Sequence, residues 1–149
     1  MVEAVATQRV IILKVSGKNL ADLDTFSKSD PVCTLHKYGQ DAVVSQTEMI
    51  LNDLNPEFQQ NLQIMVDESN LEERLIFRMH DDDAVRGQSE DFSNCDLIGE
   101  AYCTVNSLIH RAQQPENFRT WTCELKCPSN PNRKNGQIII EPKIVSRQA

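Results

Sequence analysis

Residues 20–38 read LADLDTFSKSDPVCTLHKY, and the two halves of this stretch follow different rules. The first, Leu20–Val32, crowds Asp22, Asp24 and Asp30 into nine positions with Phe26 among them, and Pro31 closes the run of acids. Carboxylates at that spacing repel one another, and a phenylalanine in a loop forgoes the free energy of burial. The second half, Pro31–Tyr38, alternates until Gly39-Gln40-Asp41 interrupts it. A period of two marks a strand. A strand therefore begins where an acidic loop ends, and the conjunction recurs in reverse where RLIFRMH runs into Asp81-Asp82-Asp83.

Working outward, Val10–Val15 is β-rich and is followed by the turn signal Gly17-Lys18-Asn19. Val43–Met49, Phe58–Val66, Leu75–His80, Leu97–Val105, Arg119–Lys126 and Gln137–Ile144 complete the set, with Asn52–Pro56 as a further turn cluster. Alternation stops between Asn106 and Asn117, where Ser107–Arg111 can form a short helix. Lys126–Gly136 (KCPSNPNRKNG) reads as a loop, and Val145–Ala149 as a frayed end or the start of a linker. About eight strands at a spacing of roughly 10–15 residues predict an all-β antiparallel sandwich.

A chain of 149 residues suits one domain, 1–149, with its core over about residues 8–145. The net charge of −7 argues against nucleic acid, which demands a basic face. It argues equally against constitutive attachment to anionic membrane unless something cancels the charge. No apolar run is long enough to span a bilayer, and MVEAVATQRV lacks the features of a secretory signal. The five cysteines are an odd count in a chain that needs no staples, so reduced thiols and a cytoplasmic location are expected. Cys123 and Cys127 have no second Cys/His pair at zinc spacing, so zinc is not expected.

The loop that opens with Asp81-Asp82-Asp83 reads DDDAVRGQSEDFSNCD and also carries Glu90, Asp91 and Asp96. Loops in a sandwich gather at its two ends. If these two meet, five or more carboxylates converge, and a hard cation is needed between them. Calcium accepts six to eight oxygens in irregular geometry; magnesium wants a tight octahedron, and zinc wants histidine or cysteine. An EF-hand is excluded: counting from Asp22, position 6 is Ser27 and position 12 is Cys33. From Asp81 they are Arg86 and Phe92, where glycine and glutamate are required.

At these residues the sequence resembles the C2 domains. Asp24 and Asp30 within SKSDP look like the first calcium loop, FRMHDDD like the strand ending in Asp-x-Asp, and CDLIGE like the aspartate before the next strand. TEMILNDLNPEF is similar to the segment that runs from a threonine to Asn-Pro-x-Phe. SKSDPVC, QTEMI, NPEF, DLIGEAYCTVNSLI and NGQIIIEPKIV are similar to the first C2 domain of copines. The resemblance extends from about Val10 to Ile144. It implies an eight-stranded antiparallel Greek-key sandwich that holds two or three calcium ions through Asp24, Asp30, Asp81, Asp83 and Asp96. It also implies that Asp82 contributes its backbone carbonyl and Asp22 stands at the rim. The long interval from Asp81 to Asp96 lets Glu90 or Asp91 replace or supplement Asp96. Copines continue into a second C2 domain and a von Willebrand A-like domain; this chain is too short for either and is expected to be an excised domain.

The functional expectation is a module that calcium recruits from the cytoplasm to anionic, phosphatidylserine-like membranes, with Phe26, Val85 and Arg86 at the bilayer. The rival is a calcium-independent protein-interaction sandwich whose acidic loops take a basic partner. No enzyme is expected: His80 has no nucleophile in a recognisable motif, and an exposed, crowded carboxylate cluster does not suit glycoside hydrolysis. Trp121 reads as packing. Cys95 has no nearby cation to activate it. FQQNLQIMV carries no positive charge, and Lys28, Lys37 and Arg86 are scattered, so no lysine-rich phosphoinositide strand is expected.

Overall fold

The computed structural model describes residues 7–23, 29–82 and 96–148. Among the described residues eight strands, one α-helix and a short 3₁₀ helix follow in the order β1 (Thr7–Lys18), β2 (Pro31–Lys37), β3 (Ser45–Gln46), β4 (Leu62–Met65), β5 (Arg74–Asp81), β6 (Asp96–Thr104), α1 (Val105–Ala112), the 3₁₀ helix (Glu116–Phe118), β7 (Trp121–Glu124) and β8 (Gln137–Gln148). Two four-stranded antiparallel sheets, ordered β4-β1-β8-β7 and β3-β2-β5-β6, form the predicted sandwich. The alternation of the strands fills the space between the sheets. Ile11, Leu13 and Val15 from β1 and Ile138 and Ile140 from β8 meet Cys33, Leu35, Phe77, Met79 and Ile98 from the other sheet. Trp121 packs its ring 6.1 Å from that of Phe77, so it serves the core as expected.

Three expectations about element limits are corrected. The frayed end expected after Ile144 is strand: β8 continues to Gln148 opposite Thr7, because β1 starts earlier than its apolar run and the two strands pair throughout. The strand expected over Val43–Met49 shrinks to two residues. Val44, Thr47 and Ile50 donate to the carbonyls of Leu35, Cys33 and Pro31. The acceptors step by two and the donors by three, so each step inserts an extra residue and regular pairing is lost. The strand expected over Phe58–Val66 is interrupted likewise. Leu62 lies opposite Leu13 but Glu57 opposite Ser16. The surplus residues Gln59 and Gln60 turn their N–H groups to the Glu48 carboxylate, at 2.7 and 3.1 Å.

The helix expected over Ser107–Arg111 extends across Val105–Ala112 because Thr104 caps it. The Thr104 hydroxyl accepts from the Ser107 N–H at 3.1 Å, and the Ser107 hydroxyl accepts from the Thr104 N–H at 3.2 Å. Gly99 lets the edge of β6 approach the other sheet, since a Cβ there would stand 2.6 Å from that of Leu125. Glu100 and Lys126 exchange backbone hydrogen bonds across that seam, at 2.7 and 3.0 Å.

Candidate metal and membrane site

The register of the strands brings the acidic loops to one end. Pro31, the first residue of β2, lies opposite Asp81, the last of β5, and Asp81 lies opposite Asp96, the first of β6. The loops between β1 and β2 and between β5 and β6 therefore leave from adjacent positions. Backbone bonds lock the junction: Asp82 N–H donates to Asp30 O at 3.0 Å, and Asp30 N–H donates to Asp81 Oδ1 at 2.8 Å. A third segment joins them. Asn52 adopts a left-handed φ of 51° and donates its N–H to Asp30 Oδ1 at 2.8 Å. Ser29 pins the returning loop, its hydroxyl donating to Ala21 O and accepting from Leu23 N–H, each at 2.9 Å.

Three of these acids are not exposed, contrary to the expectation of an open cluster. Asp30 retains 7%, Asp81 3% and Asp82 5% of its accessible surface, because three segments pack over the junction. Asp22 is exposed, as a rim residue would be, and Asp96 is exposed as well. Of the remaining predicted residues, Asp24, Phe26, Asp83, Val85, Arg86, Glu90 and Asp91 lie outside the described residues. Among the described residues no group of three or more His, Cys, Asp or Glu side chains is placed to hold a metal ion. The donors assembled at the junction are carboxylates and backbone carbonyls, a set that fits a hard cation.

His80 lies one residue from this junction, and its setting differs from that of a ligand. Its Nε2 is 2.9 Å from the Thr34 hydroxyl, which also stands 2.7 Å from Nε2 of His36. Thr34, His36 and His80 are all buried. Burial, reinforced by the nearby His36 and Arg78, pushes the His80 pKa down to about 4. Burial also lowers that of His36, which lies 3.1 Å from the carbonyls of Asp41 and Ala42. His80, through Thr34, ties β5 to β2, while His36 ties β2 to the loop that follows it. Beside them Arg78 donates to Glu100 at 2.8 Å.

The loop expected over Lys126–Gly136, which precedes β8, belongs to the same end. Lys18 lies opposite Gln137, and Ala21 N–H donates to Asn135 O at 3.2 Å.

A family model described as "C2 domain" matches residues 8–122. Protein BONZAI 2 of Arabidopsis thaliana is 27% identical over 137 residues, covering 87% of this chain and 23% of the relative. Copine-A of Dictyostelium discoideum is 35% identical over 106 residues, covering 68% of this chain and 16% of the relative. The chain thus spans a quarter or less of these curated relatives. A solved C2 domain of a plant Extended Synaptotagmin 1 superimposes with a TM-score of 0.68 at 17% identity, over 95% of each chain. By its sequence match, and with the sandwich that the match requires, this chain belongs to the C2 domain family.

Proposed function

We propose that the domain is a calcium-dependent module for binding anionic membranes. The observation that carries the proposal is the junction where Asp30, Asp81, Asp82 and Asp96 meet, three of them buried beside backbone groups. A buried carboxylate costs free energy unless hydrogen bonds, a cation or a proton compensate it. Asp24, Asp30, Asp81, Asp83 and Asp96 would hold calcium, two or three ions in all, with Asp82 adding its carbonyl, Asp22 at the rim, and Glu90 or Asp91 able to stand in for Asp96. Bound calcium supplies positive charge and open coordination positions for lipid phosphate or carboxylate oxygens.

The protein's own residues supply the rest. The acids keep the loop end negative in resting cytoplasm, so that the chain, at net −7, is repelled by anionic lipid. Phe26 and Val85 provide apolar area for the headgroup region, and Arg86 a cation beside them. On this reading the domain performs no catalysis: its task is to place whatever it is joined to at phosphatidylserine-like membranes when calcium rises. A protein partner is compatible with it, and a calcium-independent interaction sandwich is the rival. Calorimetric titration with calcium at physiological salt separates the two. Heat with saturation supports the switch, and its absence leaves the rival.

A further inference from the structure

β6 and β7 are edge strands of the two sheets, and each has one neighbour in its sheet. Backbone groups of an antiparallel strand point alternately toward that neighbour and away from it. Glu100 exchanges bonds with Lys126 across the seam, so Tyr102, two residues on, also directs its N–H and C=O away from β5. Leu125 donates to Gly136 O beside β8, so Lys126, Glu124 and Thr122 direct theirs away from β8 and toward β6. At Glu100 and Lys126 these groups meet. At Tyr102 and Thr122 no backbone partner meets them among the described residues. An open edge of this kind is a template for another strand.

A groove opens where the two edges part. One cavity of about 330 Å³ is walled by Tyr102, Cys103 and Thr104 of β6, Leu108 and Arg111 of α1, and Trp121 of β7. A second, of about 430 Å³, shares Tyr102, Cys103 and Thr104 with it and is completed by Tyr38 and Arg74. Among the described residues no carboxylate lines either cavity, although the chain carries a net charge of −7. Two arginines do. The Arg74 guanidinium stacks 3.9 Å over the Tyr38 ring, and Arg111 donates to Thr120 O at 3.4 Å. Among the described residues neither forms an ion pair, so neither positive charge is cancelled. Glu100, which accepts from the Tyr102 hydroxyl at 3.0 Å, is already paired with Arg78 at 2.8 Å.

We propose that this groove takes an extended, acidic segment of a partner protein as an added strand between β6 and β7. Strand addition draws affinity from main-chain bonds and selectivity from pockets for alternate side chains. The backbones of Tyr102 and Thr122 supply the bonds. Leu108 and Trp121 give an apolar wall to one face of the segment, and Arg74 and Arg111 pair with its carboxylates. A second copy of this chain fits less well, because a two-fold contact sets the cationic patch against itself. The groove is remote from the acidic loops. β6 starts at Asp96 in their junction and ends nine residues later at Thr104, roughly 26 Å away at about 3.3 Å per residue. A docked partner therefore leaves the candidate metal site open, and the inference does not depend on what that site binds.

The test is a titration of the isotopically labelled protein, in chelator, with a decapeptide of alternating glutamate and valine, followed through amide chemical shifts. A decapeptide of alternating lysine and valine is the control. The acidic peptide should shift the amides of Tyr102, Thr104, Trp121 and Thr122, and the basic one should not. Thr122→Pro removes an outward N–H at a place where an edge strand tolerates proline, so it should abolish binding without changing the melting temperature. Should that variant melt earlier, an acidic peptide N-methylated through its centre, which keeps its charge, should fail to bind the wild type. Arg74→Gln with Arg111→Gln should weaken binding about tenfold, each exposed ion pair being worth about threefold. Lys143→Gln removes an exposed charge from β8 outside the groove and should bind as the wild type does. Absence of shifts with the acidic peptide, shifts confined to another surface, or unchanged binding by the arginine variant overturns the proposal. Concentration-dependent shifts at the same amides without peptide overturn the choice of partner and give the edge to a second copy of the chain.

Discussion

The backbone N–H of Asp30 donates to the side-chain Oδ1 of Asp81 at 2.8 Å, across 51 residues of sequence. An acid at the root of one loop thereby orders the backbone at the root of the other. A neutral asparagine retains the oxygen that accepts this bond, whereas an alanine does not. Asp81→Asn and Asp81→Ala therefore report on different things. Both should abolish stabilisation by calcium. In chelator, however, Asp81→Asn should melt at or above the wild-type temperature, since it relieves repulsion. Asp81→Ala leaves a buried N–H unpaired and should cost about 1–3 kcal/mol. Asp30→Asn should behave like Asp81→Asn. Retained calcium stabilisation in either asparagine variant would show that the carboxylates were wrongly chosen.

Calcium itself should raise the melting temperature. Binding to the folded state adds RT ln(1 + [L]/Kd), about 1.4 kcal/mol at tenfold excess over Kd. For a domain of this size that shifts the midpoint by about 2–5 °C. One domain alone completes the shell of calcium poorly, so affinity should lie around 10⁻⁵–10⁻³ M. Magnesium at the same concentration should do much less. Differential scanning calorimetry in chelator and in millimolar calcium decides this.

Acid should destabilise the calcium-free domain through His80. Its folded pKa, about 4, lies below the ordinary value near 6.5. Between those values the unfolded chain binds the proton and the folded one does not, so stability rises with pH across that window. The advantage is complete above pH 7 and is lost as pH falls toward 4, by about 3 kcal/mol at most. His80→Gln should flatten this part of the pH profile of denaturant midpoints. A profile as steep as that of the wild type would move the effect to His36, whose pKa is also lowered.

Phe26→Ala should leave calcium binding near wild type while weakening calcium-dependent sedimentation with phosphatidylserine vesicles about tenfold, burial of the ring being worth roughly 1.5–3 kcal/mol. The residual binding should be more salt-sensitive, because electrostatic attraction is screened within about 8–10 Å and apolar insertion is not. Val85, with less apolar area, should matter less. Sedimentation equal to wild type at low and high salt removes Phe26 from the membrane contact.

The period-two alternation gave away the sandwich, since each strand needs one face to bury: Ile11, Leu13 and Val15 do so in turn. Clustered aspartates made the metal-site hypothesis legible for the same local reason, as neighbouring like charges in sequence call for an explanation within the sequence. Insertions were less legible. The three-residue steps of Val44, Thr47 and Ile50 and the surplus at Gln59-Gln60 depend on which carbonyl or carboxylate a distant segment offers. Alternation alone could not reveal them.

Residue types and local patterning thus determined the strands, the two acidic loops and the expectation of a hard cation, because those properties depend on neighbours along the chain. Tertiary structure decided what depends on neighbours across it. Packing at the Pro31–Asp81–Asp96 junction buries Asp30, Asp81 and Asp82, which as isolated loop acids would be solvated. The pairing of Lys18 with Gln137 sets the basic 125–136 loop against the end of β1. Desolvation and electrostatic potential are sums over all nearby groups, and only the folded chain specifies which groups are near.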